Sequence, residues 1–482
     1  MRVVVVGGGA TGLGVAWDLT LRGVDVTLLE KQEIGSGTSG RFHGLLHSGG
    51  RYLVTDPTAA KGCISENILL QEIAKDAVVA TGGYFIKKYD DDDQFEQTWL
   101  DQAGRVGVPV EEVPIVKLRE EIPMLTPDSE RAYSVPDGVL EGFKLLSLLV
   151  TSLSSRGCQI FEHTRATKLE LTSGQVSAVI AEDPSGTRRF DCDAVINAAG
   201  PSAGLVARDW GLDIKVQPSY GLMLIFANRR LSKVVNRLKR PSDGDIFVPH
   251  QEVVILGTTD VASQSPEPPE PVRSEVSALM RLGMELIPNL ADWRILRAFN
   301  GVRPLYEPSG LTTDSRNVSR DYAVLDHSES GLHGAFSILG GKWTTFRLMG
   351  EAVGDKVHAV LGASRASRSR EVPIAPVKRA PRRASSGPLL CECEGVHEDD
   401  LEESKSVSAL RLQTWFSMGP CQGTFCAHRV LGRTHGPRLT DELAGLRRER
   451  EHGINSVLWG ANAKLGALER SVRYQSLGED IS

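Results

Sequence analysis

Four cysteines near the C-terminal end of the chain are spaced as two close pairs. Cys391 and Cys393 flank one glutamate, and 27 residues later Cys421 is followed, after four residues, by Cys426. Two such pairs on separate turns can surround one compact centre, and thiolates bind both zinc and iron–sulfur clusters. The C-x-C and C-x4-C spacings fit the usual C-x2–4-C pairs of zinc sites poorly. We predict that these four cysteines are metal ligands.

A second group of residues with chemical potential lies at the start of the chain, where Gly7, Gly9 and Gly12 have the G-x-G-x-x-G spacing. They follow a β-branched run and precede a helical pattern and a second apolar strand that ends at Glu30. Gly7 permits a tight turn, Gly9 lets the backbone approach a pyrophosphate at the helix N-terminus, and Gly12 allows the helix to pack on the strand. Glu30 is placed to accept a hydrogen bond from a ribose hydroxyl. This unit predicts a dinucleotide site.

The loop at residues 35–52 is rich in small residues and contains two histidines. Such a backbone can lie directly against a ligand, and we expect Thr38, Ser39 and His43 to contact it. His47 has an ordinary pKa near neutrality and could remove a hydroxyl proton. The alternative is that the histidines pack against the ligand or hydrogen-bond it without transferring a proton.

A glycine pair, Gly340 and Gly341, precedes Thr344 and a helical pattern. Backbone amides at such a helix start can donate to the edge of a bound ring on which negative charge develops. Three further contacts with the same ligand are expected from a small-residue turn after a buried strand and from a hairpin: Ala199, Gly200 and Thr167.

The elements that must position these residues suggest about three domains in 482 residues. Alternating strands between Val216 and Pro304 predict a sheet that covers the ligand, and a stretch rich in Pro, Ser, Arg and Ala predicts an exposed linker. The predicted boundaries are a large ligand-binding region at 1–360 (parts around the dinucleotide 1–80, 145–215 and 320–360; substrate domain 81–144 and 216–319), a linker at 361–388 and a cysteine-bearing domain at 389–482.

Composition narrows the classes of partner. The net charge is −6 and the pI about 6.1, whereas binding to a nucleic-acid backbone needs a basic face, so nucleic acid is not expected as a partner. No apolar run reaches the roughly 18 residues of a spanning helix, and the first residues build a strand, not a cleavable signal. We therefore expect a cytoplasmic protein.

Several motifs occur in order along the chain: the glycine turn, HGLLHSGGRY, INAAGPSAG, IFVPHQEVVILGTTD, NGVRPL, SRDY and GGKWTTFRLMGE. Through them the sequence resembles the FAD-dependent glycerol-3-phosphate dehydrogenases over residues 1 to about 360. The resemblance implies a mixed α/β fold with a Rossmann-like FAD-binding domain, an antiparallel-sheet substrate domain and a small C-terminal cysteine-cluster domain. It also implies FAD as hydride acceptor and a quinone as eventual oxidant, reached through partner subunits that would hold the protein peripherally at the inner face of the membrane.

The substrate implied by the resemblance is a phosphorylated polyol, sn-glycerol 3-phosphate. A phosphate dianion is desolvated only when it is paired with fixed positive charge, for which the planar fork of arginine is well suited. The positions that match the family motifs as substrate-binding residues are Arg51, Tyr52, Arg303, Arg320 and Lys342. The implied catalytic residues are His47, Arg303 and Lys342.

The tail resembles that of the large catalytic subunit of the anaerobic type, and its cysteines look like those of the bacterioferritin-associated ferredoxin [2Fe-2S] module, with zinc as the alternative. The chain departs from the family at Tyr220-Gly221-Leu222, where relatives have Lys-Gly-Ser. We expect this change to alter the roof of the site. The alternative functions are a related flavoenzyme that oxidises another hydroxy acid or amine, and a flavin and iron–sulfur electron-transfer protein without a small substrate.

Overall fold

The computed structural model describes residues 1–227, 230–306, 318, 321–362, 365–374, 387–402, 406–430 and 439–476. Its first layer is a six-stranded sheet in which all neighbours are parallel except the first pair. In spatial order the strands are Tyr322–Asp326, Ala335–Gly340, Ala194–Asn197, Arg2–Val6, Asp25–Leu29 and Gln159–Phe161.

Both faces of this sheet are covered, which explains the uninterrupted β-branched run of its central strand. Val3 and Val5 belong to a core shared with three helices, Ala10–Leu21, Gly142–Ser154 and Phe346–Val360. Val4 and Val6 face a second core beneath a three-stranded sheet. That sheet consists of Arg165–Thr172, Gln175–Asp183 and Gly186–Asp191. Successive side chains point to opposite faces of a strand, so a strand buried on both sides has no polar positions.

The second large sheet has nine strands and forms the roof over the carboxyl ends of the first. Its pairs are antiparallel except Val234–Arg237 with Gly83–Lys88, which is parallel. The other strands are Glu111–Glu112, Ser129–Val135, Gln217–Phe226, Ile246–His250, Val253–Gly257, Val261–Ala262 and Ile295–Leu305. The helix Arg273–Met284 packs on its outer face through Val276 and Leu279.

Smaller elements complete this body. A three-stranded sheet joins Leu45–Leu46, Gly138–Leu140 and Val78–Val79. The remaining helices of the body are Pro57–Ile73, Asp93–Val106, Ile115–Glu121 and Ala203–Asp209. The predicted mixed α/β class with a Rossmann-like unit is confirmed. The domain boundaries stay a prediction, although the strands of each large sheet come from the ranges assigned to it.

The cysteine-bearing region, which we call the C-terminal module, has its own small core. It contains the strands Leu389–Cys391 and Val396–His397 and the helices Glu398–Glu402, Val407–Thr414, Leu439–Glu451 and Ala461–Ser476. Leu412 of this module also belongs to the core beneath the six-stranded sheet. No helix in the described parts of the chain is both long enough and apolar enough to cross a membrane.

The expected exposure of the linker is wrong at two positions within residues 365–374, Ser369 and Ile374, whereas six of these ten residues are exposed. Ile374 is buried, its amide donates to the carbonyl of Ile73 over 2.8 Å, and Ser369 is fully buried. The composition shows no apolar period, but a serine hydroxyl can be buried when a charged group donates a hydrogen bond to it, as Arg347 does to Ser369. Residues 375–386 lie outside the described residues.

Candidate flavin and substrate site

A cavity of about 1290 Å³ runs between the two large sheets. It exceeds the roughly 300–1,000 Å³ of pockets for drug-sized ligands, as a dinucleotide requires. The first helix points its N-terminus into one end, and the strands of the roof close the other. Positions at the carboxyl ends of parallel strands are where α/β folds hold ligands.

The nucleotide end is shaped by close backbone contacts that leave no room for side chains. A Cβ on Gly12 would lie 1.9 Å from the carbonyl oxygen of Gly7, and one on Gly7 would lie 2.5 Å from that of Ala198. Gly9 lines the cavity and precedes the helix Ala10–Leu21, whose first turn carries no acidic residue. The positive end of the helix dipole is therefore uncompensated where a pyrophosphate would lie.

Glu30 lines the same end of the cavity and fixes the turn beside it. One carboxylate oxygen accepts the amide of Gly8 over 2.7 Å and the other accepts that of Gln32 over 2.8 Å. Each carboxylate oxygen has a further lone pair, so the group can still accept from a ribose hydroxyl. The residues present thus fit FAD, the ligand that the sequence motifs imply.

The predicted contact loop folds against both the helix and the roof. The Ser39 hydroxyl accepts the Ala10 amide over 2.9 Å, and the Thr38 hydroxyl donates to the carbonyl of Val302. Both residues line the cavity, as do Ala199 and Gly200. The loop and the small-residue turn therefore both form part of the cavity wall.

Gly340 and Gly341 line the cavity with φ of +75° and +76°. A Cβ on Gly340 would lie 2.4 Å from the carbonyl oxygen of Asp321, so that side chains are excluded there for two reasons. Thr344 is fully buried, and its hydroxyl accepts the amide of His47 over 3.2 Å. The glycine pair and the histidine loop are thereby joined.

Thr167 does not belong to the cavity wall. Its hydroxyl donates to the carbonyl of Ile180 across the hairpin, and its neighbours Thr164, Arg165 and Ala166 line the cavity instead. A hairpin pattern indicates which residues alternate, but the bulge between Ala166 and Lys168 changes which of them turn inward.

The two histidines lie side by side at the inner part of the cavity, with ring centroids 5.9 Å apart. Burial, with the nearby charges of Arg51 and Arg303, lowers the pKa of His43 to about 3. Burial, His43 and Lys342 hold the pKa of His47 well below its ordinary value. Both imidazoles are therefore neutral at neutral pH, which is the form able to accept a proton.

The cations around these histidines are held by carboxylates and hydroxyls of the roof. Arg51 pairs with Asp245 over 2.8 Å. Arg303 donates to the Thr259 carbonyl over 2.9 Å and to the Thr258 hydroxyl, and lies 3.6 Å from Asp260. These bonds fix both guanidinium groups in place without neutralising the whole cluster.

Lys342 and Tyr52 meet at the same place. The ammonium of Lys342 lies 4.7 Å from the centroid of the Tyr52 ring, and that ring lies 5.4 Å from the ring of His47. Arg51, Tyr52 and Lys342 therefore lie around His47, and Arg51 and Arg303 lie near His43, in the same cavity. Arg320 lies outside the described residues.

The departure at Tyr220 does not alter the cavity wall. Tyr220 is absent from the described residues that line the cavity, and its hydroxyl donates to Glu275 of the outer helix over 2.9 Å. Its neighbour Gly221 faces the site, where a Cβ would lie 2.4 Å from a terminal nitrogen of Arg303. Gly221 makes room for the guanidinium.

Sequence reasoning missed the residues that hold the predicted ones. These are Asp245, Thr258, Asp260 and Gly221, together with His250, whose Nε2 donates to the carbonyl of His43 over 2.8 Å. Three of them stand inside the motif IFVPHQEVVILGTTD. The motif is visible in the sequence, but the roles of these residues depend on strand register and not on their spacing in the motif.

Comparison with known proteins agrees with this geometry. The family model of FAD-dependent oxidoreductases (DAO) matches residues 2–347. One subunit of the anaerobic glycerol-3-phosphate dehydrogenase of Haloferax volcanii is 35% identical, over 99% of this chain and 91% of its own length. The corresponding protein of Escherichia coli K12 is 34% identical, over 98% and 96%.

The chain belongs to the FAD-dependent oxidoreductase family. Within it, the similarity to these subunits of anaerobic glycerol-3-phosphate dehydrogenases extends over both the cavity-bearing body and the C-terminal module.

Solved structures share the fold of this oxidoreductase. A glycerol-3-phosphate dehydrogenase from Bacillus halodurans, complexed with FAD, aligns with a TM-score of 0.56 at 20% identity, over 77% of this chain and 67% of its own. An L-α-glycerophosphate oxidase from Mycoplasma pneumoniae, with FAD bound, aligns with a TM-score of 0.60 at 15% identity, over 76% and 96%.

The C-terminal module brings the four predicted metal ligands together. The thiol of Cys421 hydrogen-bonds those of Cys393 and Cys426, and Cys391 bonds Cys426. Bonds from Cys393 and Cys426 hold the pKa of Cys421 far below its ordinary value. Amides of Gly423 and Phe425 also donate to that sulfur.

In the described part of the chain, no group of three or more His, Cys, Asp or Glu side chains is arranged to hold a metal ion. The thiols instead contact one another directly, as reduced cysteines. Their number and the amides that donate to their sulfurs are nevertheless the donor chemistry of a thiolate-bound centre.

Proposed function

We propose that this oxidoreductase converts sn-glycerol 3-phosphate into dihydroxyacetone phosphate. The observation that carries the proposal is the convergence of Arg51, Arg303 and Lys342 around the histidine pair His43 and His47, in a cavity whose other end fits FAD. FAD bound in this cavity supplies the acceptor for the hydride that leaves the secondary carbon. Relatives named glycerol-3-phosphate dehydrogenase, at 34–35% identity, support the same reaction.

The phosphate is the part of the substrate that these cations would recognise. Arg303 is 28% exposed in its side chain, and both of its terminal nitrogens are bound to the roof, so the guanidinium is a fixed charge at the cavity wall. Charge-assisted bonds from such a group are stronger than those between neutral partners and orient the ester. Glycerol without phosphate lacks this anchor.

His47 is the group we assign to the proton of the substrate hydroxyl. Its neutral imidazole can accept that proton, but nearby Lys342 and Arg51 disfavour the imidazolium. A bound phosphate dianion opposes those charges, so substrate binding raises the basicity of the histidine. In this way the site responds to its own substrate.

The cysteine centre is where we expect the electrons to pass after substrate oxidation. Cys391, Cys393, Cys421 and Cys426 would hold a [2Fe-2S] cluster, with zinc as the alternative. The buried guanidinium of Arg450 interacts electrostatically with Cys426, and its positive charge favours an anionic centre. A quinone would be the final acceptor, reached through partner subunits that hold the protein peripherally at the membrane.

The substrate is tested by anaerobic bleaching of the flavin in the purified full-length protein. We expect sn-glycerol 3-phosphate to bleach it and glycerol to do so poorly. Arg303→Ala should lower kcat/KM by a factor that corresponds to a loss of about 2 to 4 kcal/mol of transition-state stabilisation, the scale of a lost charged hydrogen bond and its unpaired partner. Arg281 is exposed, and Arg281→Ala is the matched control, which should leave kcat/KM unchanged. Equal rates with glycerol and its phosphate, or bleaching by an amine instead, would refute the assignment.

The metal is tested by assaying iron, acid-labile sulfide and zinc in protein purified without oxygen. Iron and sulfide in a one-to-one ratio, lost in Cys421→Ser, are expected. Stoichiometric zinc without sulfide would contradict the cluster and leave the substrate assignment untouched.

A further inference from the structure

The C-terminal module docks on the flavin-binding body through Trp415. This residue follows the helix Val407–Thr414, and its ring lies between two residues of the body. Its centroid is 5.7 Å from that of Phe143 and 5.6 Å from that of His250. Trp415 and Met418 both pack against the core beneath the six-stranded sheet. The contact is therefore apolar and continuous with the body.

On the flavin side, His250 extends this contact to the wall of the cavity. Its Nε2 donates to the carbonyl of His43, a residue that lines the cavity, over 2.8 Å. Between the two lies Gly44, with φ of +82°, where a Cβ would be 2.0 Å from the His250 Nε2. Only glycine permits this approach.

On the cysteine side, Trp415 is two residues from a direct contact with a thiol. The amide of Ser417 donates to the sulfur of Cys391. Phe416, between them, is fully buried in the core that contains Cys391 and Cys426. Trp415 and Ser417 have φ of +61° and +64°, a conformation rare for residues other than glycine, so the packing around them determines the backbone.

We propose that Trp415, in contact with His250, is the positioning residue that couples the flavin site to the cysteine centre for electron transfer. The inference deepens the proposed function and rests on its [2Fe-2S] assignment. A series of contacts connects the cavity wall to the C-terminal module: the His250 ring bonds the His43 carbonyl and contacts the Trp415 ring. From Trp415, two residues of backbone lead to the Ser417 amide, which donates to Cys391. We call this path the bridge.

Oxidation of the alcohol places two electrons and one proton on the flavin as a hydride. Each transfer across the bridge removes one electron from the reduced flavin and reduces one ferric iron of the cluster to ferrous. A quinone-class acceptor reoxidises the cluster between transfers. Two transfers restore the oxidised flavin and release its proton.

The test uses full-length protein that contains FAD and a cluster, mixed rapidly and without oxygen with sn-glycerol 3-phosphate. Flavin bleaching reports substrate oxidation, and freeze-quench electron paramagnetic resonance reports cluster reduction. Trp415→Leu should leave bleaching unchanged and slow cluster reduction about tenfold, the effect of about 1.4 kcal/mol on a rate. Trp415→Phe keeps a ring in the contact and should slow it less.

Trp459→Leu is the matched control. Trp459 also belongs to the C-terminal module, but it contacts the outer helix of the roof, with Arg273 5.1 Å over its ring. Cluster reduction should proceed in it at the wild-type rate. Equal rates of cluster reduction in the wild type and all three variants would refute the role of Trp415. Equal slowing in Trp415→Leu and Trp459→Leu would refute it as well.

Iron and sulfide are assayed first in every variant. A wild-type protein without a cluster would refute the [2Fe-2S] assignment, and the bridge with it, whereas a cluster whose reduction ignores Trp415 would refute the bridge alone. If Trp415→Leu does not fold with both cofactors, the rate of cluster reduction in Trp415→Phe decides the test. A rate in Trp415→Phe equal to that of the wild type would then overturn the inference.

Discussion

The two ends of the cavity are built in opposite ways. The nucleotide end consists of backbone and of glycines whose missing side chains bring Gly7, Gly12 and Ala198 into contact. The substrate end consists of long charged side chains that other side chains hold. The shape of the nucleotide end is set by glycines that lack side chains. The shape of the substrate end is set by ion pairs such as that of Arg51 with Asp245.

The difference has a structural origin. A pyrophosphate is bound by amides that every residue has, so the chain needs only to bring its backbone close. A small phosphate ester needs charge at defined positions, and a buried charge needs a partner of its own. The glycine turn, the helix start and Glu30 of the nucleotide end therefore lie within residues 7–30, although the turn packs against the distant Ala198, whereas Arg303 is bonded to Thr259, 44 positions away.

The largest effect, on FAD binding, is expected at the nucleotide end, where two backbone segments are in direct contact. Gly12→Val places a side chain 1.9 Å from the carbonyl oxygen of Gly7, and the helix and turn must separate. We expect protein without FAD, measured as the loss of flavin absorbance after purification. Gly37→Ala is the control, since Gly37 also lines the cavity but a Cβ there has no described heavy atom within 4 Å. A full flavin spectrum in Gly12→Val would contradict the close packing.

The substrate end should fail differently, losing turnover and keeping its cofactor. Gly221→Ala introduces a Cβ 2.4 Å from a nitrogen of Arg303, which must move from its position on the roof. We expect kcat/KM for sn-glycerol 3-phosphate to fall by a factor that corresponds to about 2 kcal/mol of transition-state stabilisation, most of the effect of removing a charged hydrogen bond. Normal flavin content with reduced turnover is the result that separates the two ends. An active Gly221→Ala would show that Arg303 tolerates displacement.

A more gradual effect, spread over several pH units, concerns stability in acid. Because the pKa of His43 is lowered to about 3, the unfolded chain binds a proton there between pH 6.5 and 3 and the folded chain does not. The free energy of unfolding should therefore fall as pH falls through this window, by at most about 1.4 kcal/mol per pH unit for this residue. Denaturant titrations of wild type and His43→Gln across pH measure it. The slope should be shallower in His43→Gln and unchanged in the exposed His333→Gln.

The smallest effect is expected at Tyr220, on the far side of the same strand. Tyr220→Phe removes one hydrogen bond to Glu275, which is worth about 0.5–1.5 kcal/mol of stability. Tyr220→Lys, which restores the residue of relatives, should also leave kcat/KM unchanged. A change of substrate preference in either variant would place this side chain in the site after all.

The nucleotide end could be predicted from the sequence more completely than the roof. The first strand, turn, helix and acid have a pattern in which each position has one physical reason, and the structure places them as expected. The strand Gln217–Phe226 is buried at nearly every position, so its pattern does not distinguish the face of Tyr220 from that of Gly221. Register decides that question, and register depends on Ile295–Leu305 and Val253–Gly257, which are distant in sequence.

The packing of residues 365–374 determines where the chain can be divided. Arg365 and Arg22 exchange hydrogen bonds of 2.7 and 2.9 Å through their carbonyls, and Ser367 bonds Asp18. Arg347, fully buried beneath, donates to Ser369 over 2.8 Å. A truncation at Gly362 would strip these partners from buried ions in the flavin-binding body. We therefore expect a stable division of the chain, by an engineer or by a gene fusion, only beyond Ile374, because residues 365–374 of the predicted linker pack with the flavin-binding body.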